Sequence, residues 1–399
     1  MADFSEFRRH WRPLAGSFIG MGSALSLNSY ILSIFAPYFM KDLGWSLSQW
    51  ASLGTVQMLI VFCTPVVGRL ADRFGVRRVA AVGALTFPLF LLAIAMMDGS
   101  LQTYLAIYIA QTVICSTTTS TVYSRVVAGA YSLRRGLALG IVGSSPPLVA
   151  ALCSPLISAY VETAGWRAGY MVVAAFCAVC AVATLLLLPS RSQEAANDQA
   201  SGAKPQGGVY RTIFANPVFW IMLIAILLVN LPFTLATTQL KTVVLAQGLP
   251  ASAAALMVSA FATSSIVGRV LSGVALDYLP AHLIAAIAFG LPVIGLLILA
   301  SPLDSFVAVT VALALIGISF GGEGDIIPYL VTRYFGIAIY STVLGLLSAV
   351  MGLAMGGGNI LLAITGSFDA YLWIAAATAF AGSLLFLLLG RPRFAAGPA

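Results

Sequence analysis

One apolar run long enough to cross a bilayer follows another along this chain, and that repetition constrains the fold more than any single motif. A membrane-spanning helix needs about 20 apolar residues. Twelve such segments can be read, centred near residues 27, 57, 89, 114, 149, 179, 227, 262, 291, 316, 350 and 380. Apolar residues make up 60% of the chain and charged residues 8%, against about 25% charged in a soluble domain. Lipid offers no hydrogen-bond partners, so each segment must satisfy its own backbone as a helix. The expected fold class is an all-α membrane protein with twelve transmembrane helices.

Orientation follows from the basic residues, which concentrate on cytosolic loops. With the N-terminus inside, the inner loops and tails hold Arg8, Arg9, Arg12, Arg69, Arg73, Arg77, Arg78, Arg134, Arg135, Arg191, Lys204, Arg211, Arg333, Arg391 and Arg393. The outer side holds Lys41, Arg167 and Lys241. Both termini are therefore expected in the cytosol. The net charge of +7 is accounted for by this distribution, which points to anionic membrane lipid as a partner and not to nucleic acid. Met1 to Arg12 is polar and basic, unlike a cleavable signal. The scarcity of lysine and the wealth of Ala, Gly and Arg suit a bacterial inner membrane.

The break in hydrophobicity from Ser190 to Tyr210 is rich in Gly, Ser, Ala and Gln and reads as a flexible cytosolic linker. It divides the chain into an N-terminal six-helix bundle (1–189), the linker (190–210) and a C-terminal six-helix bundle (211–399). A short motif recurs across this division. Gly68-Arg69-Leu70-Ala71-Asp72-Arg73-Phe74-Gly75-Val76-Arg77-Arg78 closes one apolar run, and Gly273-Val274-Ala275-Leu276-Asp277 closes another about 200 residues later. A Gly and an Asp one turn apart share a helix face. The Gly admits a close neighbour, and the Asp can meet that neighbour's positive N-terminal end. One copy in each half indicates a duplicated membrane protein with two pseudo-symmetric bundles about a midplane site.

Over nearly its whole length the chain resembles a major facilitator superfamily transporter, on the strength of the Gly68–Arg78 loop between helices two and three. A narrower resemblance is to the monocarboxylate porter branch. It rests on Ala130-Tyr131-Ser132-Leu133-Arg134-Arg135-Gly136-Leu137-Ala138-Leu139-Gly140, on Gly143-Ser144-Ser145-Pro146, on Gly165-Trp166-Arg167, and on Arg269 one turn before Gly273. The resemblance implies the two-bundle fold, alternating access and a small organic anion as substrate, with Arg269 as its pairing residue. Two departures stand out. Animal members place a lysine in helix one, where this chain has Asn28, Ser29 and Tyr30, and an aspartate one turn before the helix-eight arginine, where this chain has Ser265.

Charged groups inside the membrane each cost a few kcal/mol and mark function. Arg125 and Arg269 suit a carboxylate, because the guanidinium fork donates two parallel hydrogen bonds and keeps its charge. Glu323 and Asp325 lie two apart, about 200° around a helix, so one can pair with an arginine while the other faces elsewhere. A carboxylate beside an arginine can take up a proton when substrate occupies that arginine, which makes these two the candidates for proton coupling. Asn28, Tyr30, Tyr123 and Asn230 are the polar candidates for further substrate contacts, and Gln111 reads as an interhelical hydrogen bond. Gly68, Asp72, Arg73 and Arg77 are expected to form a cytosolic latch that favours an outward-facing state.

The expected function is a proton-coupled secondary transporter of a small organic anion, a monocarboxylate by resemblance, working as a monomer without cofactor or metal. An exporter of drugs or other hydrophobic solutes has the same fold, but Gly143-Ser144-Ser145-Pro146-Pro147 is a poor match to the Gly-rich helix five of such antiporters. A transporter-like ligand sensor is the alternative of a different class, and the short tails offer it no signalling surface. Enzyme chemistry is not expected: His10 and His282 sit at membrane edges, and the five cysteines lie in helices as apolar filler.

Overall fold

The computed structural model describes residues 5–46, 58–190, 208–233, 251–303 and 305–390, with single positions 49, 53 and 56. Its helices run in chain order: α1 (Ser5–Arg9), α2 (Trp11–Gly22), α3 (Leu25–Asp42), α4 (Leu59–Phe74), α5 (Val76–Met96), α6 (Leu101–Cys115), α7 (Ser120–Ala130), α8 (Arg135–Gly143) and α9 (Ser145–Leu187). There follow α10 (Val209–Ala215), α11 (Pro217–Asn230), α12 (Ala251–Tyr278), α13 (Ala281–Leu299), α14 (Phe306–Phe335), α15 (Tyr340–Thr365) and α16 (Phe368–Leu388). No strand occurs among the described residues.

Eleven of the twelve segment centres read from the sequence fall inside one of these helices. The centre near 57 lies outside the described residues, just before α4. Eight described helical stretches are long and apolar enough to cross a bilayer, and the pair α10–α11, bent by 73°, makes a ninth. The 43 residues of α9 are two helices: at Gly165 the backbone turns to φ 81° and ψ 163°. That conformation is open to glycine and costly for other residues, so the chain changes direction there between the segments centred near 149 and 179.

The chain packs as two compact units. Unit 1 takes the described residues of Met1–Leu133, Ile141–Lys204 and Ile337–Leu346; unit 2 takes those of Arg134–Gly140, Pro205–Gly336 and Leu347–Ala399. Each unit thus incorporates a short segment from the other half of the sequence. Most of the linker read from the sequence lies outside the described residues.

In unit 1 an aromatic core centres on Phe39, whose ring lies 4.9 Å from Trp45, 4.7 Å from Trp166 and 5.4 Å from Tyr104. Aromatic pairs of this kind contribute about 0.5–1.5 kcal/mol each beyond simple burial. In unit 2, α12 runs along α14. Lipid provides no hydrophobic drive for helices to meet, so contact depends on small residues that let backbones approach. Gly321 of α14 shows this: a β-carbon there would overlap the carbonyl oxygen of Ser265 on α12.

Candidate functional site

Two buried polar clusters hold most of the candidate residues, one in each unit. The cluster in unit 1 forms where α4 meets the start of α15. Gly68 presses so closely on Ser341 that a β-carbon would overlap its carbonyl oxygen. One turn further on, the Asp72 carboxylate accepts hydrogen bonds from the backbone amides of Ser341 (3.1 Å) and Thr342 (2.7 Å) and from the Thr342 hydroxyl (2.6 Å). These amides belong to the first turn of α15, whose unpaired N–H groups carry partial positive charge. Arg125 of α7 completes the cluster with Nε 3.0 Å from Asp72 Oδ1, and both side chains are almost wholly buried.

The second copy of the motif repeats this geometry in unit 2. Asp277 accepts from the amides of Gly136 (2.7 Å) and Leu137 (3.2 Å) at the start of α8. Gly273, one turn earlier, lies so near that a β-carbon would come within 2.9 Å of the Gly136 carbonyl oxygen. The carboxylate-to-helix-start contact read from the Gly and Asp spacing is therefore present twice.

Arg73 and Arg77 do not join Asp72. Arg73 is exposed and lies over the Phe74 ring at 5.2 Å, and neither arginine makes an ion pair among the described residues. Three members of the unit 1 cluster would not have been grouped from sequence: Arg125, Ser341 and Thr342. Ser-Thr at the start of an apolar run was the available signal for the last two.

The second cluster lies in unit 2, between α11, α12 and α14. Arg269 Nη1 stands 3.4 Å from Asp325 Oδ1. The guanidinium edge lies across Gly324, where a β-carbon would come within 3.0 Å of Nη1 and 3.1 Å of Nη2. Gly324 thus makes room for the arginine between its two acidic neighbours. Asn230, the last residue of α11, donates from Nδ2 to Glu323 Oε1 (2.5 Å) and to the Ile226 carbonyl (3.0 Å). Glu323 and Asp325 therefore face different helices, as their spacing predicts.

Burial in this cluster is uneven. The Asp325 side chain is fully buried and that of Arg269 is 19% exposed. Among the described residues one of the arginine's nitrogens is engaged, and at a distance well beyond the roughly 2.7–2.9 Å of a good charge-assisted bond. Asp325 Oδ2 and Asn230 Oδ1 have no hydrogen-bond partner among the described residues.

The remaining candidates are dispersed within unit 1. Asn28 is buried on α3. Tyr123 is buried on α7 with its ring against Gly20, and its hydroxyl has no hydrogen-bond partner among the described residues. Gln111 is buried on α6, and neither amide atom has a hydrogen-bond partner among the described residues. The side chain of Tyr30 lies outside the described residues. No group of three metal-ligating side chains occurs among the described residues.

The sequence profile described as "Major Facilitator Superfamily" matches residues 18–358. The chain belongs to the major facilitator superfamily. A monocarboxylate transporter 4 of Rattus norvegicus is 26% identical over 201 residues, which is 49% of this chain and 41% of the rat protein. The aligned part is thus under half of that relative's length. A protein named MFS-type transporter from Gibberella moniliformis is 26% identical over 395 residues, covering 95% of this chain and 89% of its own. Among solved structures, the proton:xylose symporter XylE matches with a TM-score of 0.68 at 15% identity, over 95% of this chain and 94% of XylE. The E. coli fucose:proton symporter FucP gives a TM-score of 0.71 at 14% identity, over 96% and 99%. At such identities the likeness is one of fold. This superfamily member is an all-α, multi-pass membrane protein and a transporter.

Proposed function

We propose that this superfamily member is a proton-coupled carrier of a small organic anion, a monocarboxylate in class. The observation that carries the reading is the under-used guanidinium of Arg269. A permanent cation is held inside a membrane helix by one long contact to Asp325, with its other donors unengaged among the described residues. A carboxylate substrate fits these donors bidentately. It would replace Asp325 as the counter-charge, and the displaced Asp325, or its neighbour Glu323, would take the coupled proton. The weak relationship to monocarboxylate transporters supports the substrate class.

Asp72 with Arg125, and Asp277, serve in this reading as latches of one conformational state. Each carboxylate holds the first turn of a helix from the other half of the sequence. Alternating access would require both contacts to open and close. In this reading the carrier works in the cell membrane with both termini cytosolic.

The test is uptake of labelled carboxylates into proteoliposomes with and without an inward proton gradient. Wild type should concentrate at least one carboxylate when the gradient is present, and Arg269→Ala should abolish that uptake. Movement of neutral sugars or hydrophobic cations with no carboxylate uptake would overturn the anion reading.

A further inference from the structure

We infer that the two acids flanking Gly324 divide the work: Glu323 holds a resident proton throughout, and Asp325 is the carboxylate that exchanges one. The inference deepens the proton-coupled reading above and rests on it for the role of Asp325, but not for the state of Glu323.

The argument is a charge count. Among the described residues, the buried cluster contains two carboxyl groups and one guanidinium. Among the described residues of the elements packed against α14, the nearest other charged groups and the histidine are engaged elsewhere. Asp277 on α12 is bound to the start of α8, His282 on α13 packs against Gly390, and Arg134 lies on the Tyr278 ring. Arg333, on α14 itself, is two turns further along the helix. With both acids ionised the cluster would carry a net negative charge in a water-poor interior. An isolated buried charge is costly enough that the group neutralises instead.

Geometry then decides which acid is neutral. Asp325 has the cation, at 3.4 Å. Glu323 has an uncharged amide as its hydrogen-bond partner, and Arg269 acts on it only from beyond ion-pair distance. Asn230 is held in its orientation by its second N–H, which donates to Ile226. It therefore presents a donor to Glu323 Oε1, the bond a carboxylic acid's carbonyl oxygen accepts. The proton of Glu323 belongs on its other oxygen. When a substrate carboxylate occupies Arg269, Asp325 loses its counter-charge and takes one proton from the side of higher proton activity. It gives that proton up on the other side when substrate leaves, and Glu323 remains neutral throughout.

Infrared spectroscopy of the purified protein at neutral pH reads the resident proton without requiring transport. Wild type minus Glu323→Gln should show the carbonyl stretch of a protonated carboxyl, and wild type minus Asp325→Asn should not. Asn230→Ala should keep the band and move it to higher frequency, because the hydrogen bond to Oε1 is gone. Uptake is the second readout: the response to the proton gradient should be lost in Asp325→Asn. A band that survives Glu323→Gln, or one removed by Asp325→Asn, would overturn the division of labour. If wild type moves no carboxylate, the transport reading fails, and the infrared result still decides the state of Glu323.

Discussion

Replacing Asp72 should cost more than replacing Arg125, although the two form one ion pair. Both side chains are almost wholly buried, so Asp72→Asn takes the carboxylate away from a buried guanidinium. Breaking a buried pair from one side typically costs about 3–5 kcal/mol. The asparagine also turns an NH2 group toward the amide and hydroxyl donors of Thr342, which previously met an acceptor. Arg125→Gln leaves a different situation. The Asp72 carboxylate retains three donors from Ser341 and Thr342, and bonds to a charged group contribute about 1.5–3 kcal/mol each. Its charge therefore stays solvated by the protein, and the loss should be about 1–2 kcal/mol smaller on the same scale. The double variant Asp72→Asn/Arg125→Gln contains no stranded charge and should be more stable than the two losses summed. Unfolding in mixed detergent micelles, monitored by helix content, gives all four corners of the cycle. Losses that add to within about 0.5 kcal/mol, the range for independent sites, would refute the pairing.

Two further outcomes follow from the same packing logic. Gly321→Ala places a methyl group against the Ser265 carbonyl, a backbone atom that cannot swing away. It should destabilise by at least the about 1–3 kcal/mol usual for overpacking; a variant as stable as wild type in the same micelles would contradict the close approach of α12 and α14. Asp277→Ala removes the acceptor of two N-terminal amides of α8, a loss of about 0.5–2 kcal/mol for a helix start. Hydrogen exchange at Gly136 and Leu137 should speed up, and unchanged protection there would show that Asp277 does not hold the segment.

Much of this architecture was legible because bilayer-crossing helices announce themselves by length and composition. The contact made by the Gly and Asp motif was legible too, since a four-residue spacing fixes a helix face and a buried carboxylate needs donors. Asp72 and Asp277 both found theirs at helix starts. The partner of Arg125 was not legible. Intramembrane arginines read alike in sequence, whether they face a carboxylate from the same protein or one from outside. Arg269 illustrates the limit from the other side: its spacing from Gly273 fixed its helix, but its contact with Asp325 depends on how α12 and α14 align. The glutamate and aspartate on α14 were separable by angle alone, and Asn230 stood out as a polar residue at the end of an apolar run. What linked it to Glu323 was tertiary packing.

Asp72 and its amide donors are separated by 269 residues or more of chain, and this sets a schedule for biogenesis. At about 5–20 residues per second, the ribosome needs roughly 13–55 seconds after making Asp72 before Ser341 exists. Arg125 emerges only 53 residues after Asp72, within the first several seconds at that rate. The arginine is therefore the companion that neutralises the aspartate while the nascent chain is still being inserted, and the helix start it meets in the finished protein is a late arrival.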